Sequence, residues 1–323
     1  MPTAEQFIAG AWKAVPQFEL DAVDVSILSH SENVVCDVTL RDGSRVVMRL
    51  HRPGYNTAEE LECEVQWVAA LRIAGVRVPA AMPAQGGSHY AAVSIGDETR
   101  YVGVVDWVHG TPVGEATGAA GESVVKHYAD IGGIAAQIRT HSTGWKQPSG
   151  FVRRRWDSAG LVGEEALWGR FWALPGLSPA HRDLFSAART KLIDELGSLS
   201  TGSDAFGLIH ADLHLGNVMA DGDQLTVIDF DDAGYGWFVH ELAVALHPVL
   251  GEPWEAAARK ALVRGYRRLY PLSEREEELI DTFLTVRSLT LVSWLDARRE
   301  LPTHEYFDNF VTEAVTQSES YLS

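Results

Sequence analysis

The pattern of apolar residues changes character once, near residue 109, and this constrains the fold more than any other feature of the chain. Before that point, short β-branched runs alternate with turn residues. Val23–Leu28 is apolar-rich, Val34–Leu40 (VVCDVTL) partly alternates, and Val46–Leu50 (VVMRL) follows the turn Arg41-Asp42-Gly43-Ser44. Two such runs joined by a Gly-containing turn predict a β-hairpin. Pro53-Gly54 breaks the chain. Thr57–Ile73 then has helical spacing, with Leu61, Val65, Val68 and Leu71–Ile73 apolar and its acidic residues early, where the helix dipole favours them. Ala91–Ile95 and Tyr101–Val108 read as two further strands around Gly96-Asp97-Glu98.

After His109-Gly110-Thr111-Pro112 helices dominate: Ser123–His141, Ala180–Ser198, Glu241–Leu250, Trp254–Tyr270 and Ser273–Arg298. A strand-like patch, Gly207–Asp229, interrupts them. The layout is α+β. A β-rich N-terminal lobe with one inserted helix spans 1–109, a hinge lies at Val104–Val108, and a helical C-terminal lobe spans 110–323. A chain of 323 residues is long enough to bury a core in each lobe.

The chemistry concentrates in Gly207–Trp237, GLIHADLHLGNVMADGDQLTVIDFDDAGYGW. His210-x-Asp212 is followed by Asn217, then by an apolar strand ending in Asp229-Phe230-Asp231. A loop carboxylate such as Asp212 can take the proton of an attacking hydroxyl. Asn217 offers a neutral oxygen and Asp229 a carboxylate oxygen to one hard cation; Mg²⁺ prefers such ligands and the company of phosphates. Phosphoryl transfer asks a protein for this positioning and charge neutralisation. His210, Asp212 and His214 also alternate as metal ligands do. A metal-dependent hydrolase drawing on Asp229, Asp231 and His240 is therefore the rival from another class. It leaves Asn217 without a role.

These residues resemble the aminoglycoside phosphotransferase / choline kinase family, which shares the protein-kinase fold. The nearest look is to the branch with type II homoserine kinases and a bacterial stress-response Ser/Thr kinase. The family's H-x-D-x-x-x-x-N loop is matched by His210, Asp212 and Asn217, and its I-D-[FWL]-[DE] by Ile228-Asp229-Phe230-Asp231. VVMRLHRP, Val46–Pro53, resembles the third strand of the N-lobe, with Arg49 in place of the usual nucleotide-contacting Lys. Glu64 resembles the helix glutamate that pairs with that cation. Ser31-Glu32-Asn33 resembles the turn over the nucleotide phosphates, and His240-Glu241-Leu242-Ala243 stands where the family has Asp-Leu-Ala. The resemblance covers about residues 20 to 250.

It implies a two-lobed protein-kinase-like fold that binds ATP and Mg²⁺. Asp212 would be the catalytic base, and Asn217 and Asp229 the metal ligands. Arg49, Glu64, Ser31, Asn33, Val105 and Asp106 would lie at the nucleotide. Two departures stand out. A guanidinium forks where an ammonium is a point charge, and the turn SHSEN has no glycine, so Ser29, Ser31 and Asn33 would have to cap phosphates with side chains. The resemblance implies a small-molecule hydroxyl acceptor; a Ser/Thr side chain of a protein, or no transfer at all in a nucleotide-binding pseudokinase, are the alternatives.

Acceptor recognition falls to the C-terminal lobe. Asp231, Asp232 and Glu241 lie around Trp237, and Trp294 and Asp296 lie further on. Carboxylates beside an aromatic face suit an ammonium group. The expected acceptor is an amine-bearing alcohol: an amino-alcohol, a hydroxylated amino acid or an aminoglycoside-like sugar. The formal net charge of −17 would concentrate such cations and repel nucleic acid and anionic lipid. Two cysteines, Cys36 and Cys63, are too few for a disulfide framework. No signal-peptide pattern opens the chain and no stretch approaches the ~18 apolar residues of a membrane helix, so the expectation is a cytoplasmic protein without a membrane partner. His210 reads as a loop brace, and Arg153-Arg154-Arg155 as a solvated face.

Overall fold

In the computed structural model, which describes residues 2–31, 33–116, 124–299 and 301–323, helix α1 (Ala4–Ala14) precedes the N-terminal strands. A capping box between Thr3 and Gln6 starts it, satisfying backbone N–H groups that a first helical turn leaves orphaned. The strands are β1 (Ala22–His30), β2 (Val34–Leu40), β3 (Arg45–Leu50), β4 (Tyr90–Ile95) and β5 (Glu98–Asp106). They form one antiparallel sheet in the order β1-β2-β3-β5-β4. Alternation decides its faces: on β3, Val46, Met48 and Leu50 enter the core while Val47 and Arg49 take the other side. Val34, Cys36 and Val38 of β2 and Val102 and Val104 of β5 join that core with Phe7 and Ala11 of α1. Helix α2 (Ala58–Ile73) is opened by a second capping box, Thr57 with Glu60, and buries Leu61, Cys63, Glu64, Trp67 and Leu71.

Past β5 come the short β6 (Thr111–Pro112) and α3 (Val113–Ala116), then α4 (Val125–Gly144), β7 (Arg155–Trp156), α5 (Ser158–Val162) and α6 (Pro179–Ser198). The strand-like patch resolves into β8 (Phe206–Ile209), β9 (Val218–Asp221) and β10 (Gln224–Val227), with β11 (Gly234–Trp237) beyond it. Helices α7 (Phe238–Leu246), α8 (Glu255–Arg267), α9 (Glu274–Asp296) and α10 (Phe307–Leu322) complete the chain. β11 pairs parallel with β7 and antiparallel with β8. Every residue of α7 is buried, as a helix inside a helical core must be. Helices α4 and α8 approach at two glycines: a Cβ on Gly132 would meet Leu262 O at 2.1 Å, and one on Gly265 would meet Ala129 O at 1.8 Å.

The chain divides into two compact units. The first holds Met1–Thr111, Gln147–Arg153 and Met219–Asp231; the second holds Pro112–Lys146, Arg154–Val218 and Asp232–Ser323. Two segments beyond residue 109 thus belong with the N-terminal sheet. The expected helix start at Ser123 lies outside the described residues, as does Glu32 of the phosphate-side turn. Val104–Asp106 is inside the sheet: Met82 N–H donates to Val104 O at 2.8 Å and Asp106 N–H to Ala80 O at 3.0 Å, while Val105 pairs with Val47 of β3. The chain leaves the sheet only at Trp107. Among the described residues no helix is long and apolar enough to cross a membrane.

Candidate active site

The motif residues fall into two clusters, one in each unit. In the first unit, β3 presents Arg49 on the face opposite the core, and its Nη2 donates to Asp229 Oδ1 at 2.5 Å. Burial opposes the charge on Arg49, but Asp229 and Asp231 outweigh it and raise the pKa further. Asp229 sits at φ 66°, a left-handed conformation that side chains disfavour. Its carboxylate remains 39% exposed.

Asp231, two residues on, is buried at 5% exposure. Asn33 Nδ2 donates to its Oδ2 at 3.1 Å, and His51 Nδ1 and Asn56 Nδ2 donate to its Oδ1 at 3.2 and 3.0 Å. Burial alone would raise this carboxyl; hydrogen bonding from His51 and the charge of Arg49 hold it well below the usual carboxylate range. Asp231 is a buried keystone where substrate contact was expected. Asn33 is equally committed, because its Oδ1 accepts the Arg52 N–H at 2.9 Å. Its amide is spent inside the protein, leaving exposed Ser31 as the phosphate-side candidate of that turn.

Glu64 corrects a second expectation. Its ion-pair partner is Arg153, 3.3 Å from Glu64 Oε2, while Arg49 is paired with Asp229. Burial pushes the Glu64 carboxyl above its ordinary value, against the pull of Arg153. Arg153 and Arg154, read from the sequence as solvated, are 4% and 8% exposed. Asp106 closes β5, and its carboxylate accepts the Ala80 N–H at 3.3 Å.

In the second unit the chain leaves β8 through His210, Ala211 and Asp212. Ala211 takes φ 66°, and its N–H is held by Glu241 Oε1 of α7 at 2.6 Å. Burial pushes the Glu241 carboxyl up to about 7, although the N–H groups of Ala211 and His210 favour its charged form. His210 is fully buried and its Nδ1 accepts the Asp212 N–H at 3.2 Å. It braces the loop, in keeping with its sequence reading.

Asp212 is gripped on both oxygens. Asn217 Nδ2 donates to its Oδ2 and to its backbone O, each at 2.9 Å. His214 Nε2 is 3.4 Å from Oδ2, and His214 Nδ1 accepts the Gly216 N–H at 3.0 Å, which places the ring proton on Nε2. Arg287 Nη2 of α9 donates to Oδ1 at 2.5 Å. Burial would raise this carboxyl, but His214 and Arg287 hold it well below the ordinary range, so Asp212 is ionised at neutral pH. The Arg287 guanidinium lies 5.0 Å from the Trp168 ring centroid. His240, stacked on Phe283 with centroids 5.4 Å apart, is pushed down to about 3 by burial and by Arg287, and stays neutral.

The expected acceptor residues behave differently. Trp237 is 3% exposed, its Nε1 donates to Ser200 O at 2.9 Å, and its ring packs on Phe206 and Phe283. That is a packing role in place of the anticipated substrate contact. Asp232 faces Arg154 at 3.6 Å, Asp296 pairs with Arg299 at 2.6 Å, and the Trp294 ring lies under the guanidinium of Arg298 at 4.4 Å. Arg287 was not singled out in the sequence, and Arg153 only as part of a solvated face. Arg287 left a signal, as the single charge between Asp281 and Asp296 in a helix otherwise apolar or hydroxylic; a lone charge there needs a buried partner. Arg153 left none.

This combination of a β-rich unit carrying an arginine–aspartate pair and a helical unit carrying a held aspartate–asparagine loop is the two-lobed α+β fold of protein-kinase-like phosphotransferases. The chain belongs to the APH phosphotransferase enzyme family, whose sequence profile matches residues 24–279. The amicoumacin kinase of Bacillus subtilis (strain 168) is 25% identical over 310 residues, 93% of this chain and 87% of that one. The homoserine kinase of Neisseria meningitidis serogroup B (strain ATCC BAA-335 / MC58) is 34% identical over 113 residues, 34% of this chain and 36% of that one. The solved structure of a microcompartment-associated aminopropanol kinase is similar with a TM-score of 0.83 and 28% identity, over 98% of this chain and 97% of that one.

Proposed function

We propose that this protein transfers the γ-phosphoryl group of ATP, with Mg²⁺, to the hydroxyl of an amine-bearing small molecule. The observation that carries the reading is Asp212: a largely buried carboxylate kept ionised and aimed by Asn217, His214 and Arg287. An ionised, oriented carboxylate is the group that can take a hydroxyl proton as the oxygen attacks phosphorus. Arg49 and Ser31 would serve the nucleotide phosphates, and the chain beyond Asp106 its base.

The donor chemistry fits a hard cation. The Asn217 amide nitrogen is spent on Asp212, so its oxygen is the atom on offer, and Asp229 keeps Oδ2 beyond its contact with Arg49. Around Arg49 two guanidinium groups, Arg49 and Arg153, face three carboxylates, Glu64, Asp229 and Asp231. Among the described residues no cluster of three His, Cys, Asp or Glu side chains could hold a metal. That suits Mg²⁺, which takes one or two protein ligands and completes its shell with phosphate and water. Asn217 and Asp229 each offer an oxygen to a hard cation, and such an ion would, when bound, supply neutralisation of phosphate charge.

The amine in the acceptor is supported by the relatives, since aminopropanol and homoserine each join an amine to an alcohol, and by the net charge of −17. It gains nothing from Asp231, Asp232 or Glu241, which are engaged within the fold. The test is a pooled acceptor screen with Mg²⁺-ATP, read by a mass gain of one phosphoryl group, using alcohols paired with and without an amine. Transfer to the amine-bearing members is expected. A preference for neutral or anionic alcohols would remove the amine, and transfer to folded protein alone would replace the small molecule by a Ser/Thr side chain.

A further inference from the structure

We propose that Arg153 is a positioning residue of the nucleotide side, taking over from Arg49 as partner of Glu64 and tying helix α2 to the Asp229–Asp231 segment. The inference rests on the reading that Asp229 serves Mg²⁺-ATP. The Arg153 side chain is 1% exposed. Its Nη1 donates to Glu60 O of α2 at 2.9 Å and lies 3.3 Å from Glu64 Oε2, while its Nη2 donates to Phe230 O at 3.2 Å and to Asp231 O at 2.9 Å. One planar fork thus spans a helix and the two peptides that follow Asp229. A lysine ammonium has the charge but not the breadth to do both.

The placement matters because Asp229 is held at φ 66°, a conformation that persists only where neighbours determine it. Fixing the carbonyls of Phe230 and Asp231 fixes the peptide planes leading away from it. Trp67 of α2 packs edge-on against Phe230 at 5.7 Å, so helix and segment are joined by packing as well as by charge. Arg153 has a second effect. Arg49 already feels the charge of Glu64; with the Arg153 charge 3.3 Å from Glu64 Oε2 offsetting it, Arg49 is free to stay on Asp229. Without Arg153, Glu64 would compete for Arg49. The two pairs, Arg49–Asp229 and Arg153–Glu64, therefore accommodate an arginine where the family has lysine: the larger cation keeps one carboxylate because a second arginine takes the other.

The experiment is equilibrium binding of Mg²⁺-ATP to wild type, Arg153→Met and the double variant Arg153→Met/Glu64→Gln, with acceptor KM measured alongside. Arg153→Met should raise the nucleotide Kd by about 10–100-fold, the usual cost of losing a group that orients a metal ligand, and leave acceptor KM unchanged. Removing the competing carboxylate in the double variant should return Kd to within a few-fold of wild type. A purely structural arginine would not be rescued by a second lesion. Wild-type Kd in folded Arg153→Met, or a double variant no better than the single one, overturns the inference. Should Arg153→Met not fold, Arg153→Lys and Arg153→Lys/Glu64→Gln carry the same comparison, with a smaller loss expected and the same rescue. Wild-type protein that binds no Mg²⁺-ATP would overturn the functional reading and this inference with it, whereas unchanged Kd in the variants overturns this inference alone.

Discussion

The cluster around Asp229 and the cluster around Asp212 solve a similar problem in opposite ways. Each sets a residue other than glycine at φ 66°, Asp229 in one and Ala211 in the other, a strain of about 1–3 kcal/mol that surrounding contacts must hold. Each brings an arginine within 2.5 Å of a motif carboxylate. There the likeness ends. Asp229 has one charged partner and a side chain 39% exposed, whereas Asp212 is held on both oxygens and is 21% exposed. In the proposed reading Asp229 is a metal ligand, which must exchange partners when the cation arrives, so one open oxygen is useful. Asp212 is in the same reading the base, which must keep its aim and its charge before the acceptor arrives, so clamping it in advance is the preorganisation that catalysis rewards.

The comparison breaks most visibly at the base. Asp212→Asn should lower turnover by roughly 10²–10⁴-fold, since the amide keeps the shape and cannot take the proton. Steady-state kinetics on the true acceptor check this; unchanged turnover would end the assignment of Asp212. The next largest effect belongs to its clamp. Arg287→Ala should lower kcat by about 10²-fold at most, the scale of a misplaced reacting group, with nucleotide Kd unmoved and partial recovery in Arg287→Lys. A change confined to nucleotide Kd would transfer Arg287 to the other side of the comparison.

The smallest effect is on stability and sharpens the account of how Ala211 is held. Glu241 has its carboxyl raised from 4.5 to about 7 in the folded state, first by burial. A raised carboxyl means that the folded state binds the proton more tightly. Its stabilisation is complete below about pH 4.5 and is lost as pH rises through about 7. Glu241→Gln keeps an acceptor for the Ala211 N–H and carries no charge, so it should gain stability over wild type between pH 5 and pH 8, on the order of 2–3 kcal/mol. Thermal melts at the two pH values measure it; an offset independent of pH would mean that Glu241 stays charged throughout.

The legible part of this molecule was what lies close in sequence. Hydrophobic alternation found β2 and β3, spacing found α2 and α9, and the run from His210 to Asp231 named the candidate chemistry, because turns and strand ends hold those residues at fixed separations. Partners brought together by the fold were not legible. Arg49 and Glu64 suggested one another only by resemblance, and the fold gives them Asp229 and Arg153 instead. Arg154, beside a third arginine, gave no sign of being buried against Asp232. Carboxylates near Trp237 read as a surface for an amine because nothing in the sequence says that Trp237 packs on Phe206 and Phe283. Helix α1 carries a legible capping box in Thr3 and Gln6, but at 11 residues its apolar face is too short to stand out as a period.

The proposed division of labour, Asp229 toward the nucleotide and Asp212 toward the acceptor, is tested most directly by titrating Mg²⁺-ATP into Asp229→Ala and Asp212→Asn side by side with wild type. Asp229→Ala should lose about 10–100-fold in affinity, having lost a charged oxygen ligand, while Asp212→Asn should bind as wild type does. Equal loss in both variants, or wild-type affinity in Asp229→Ala, would contradict it.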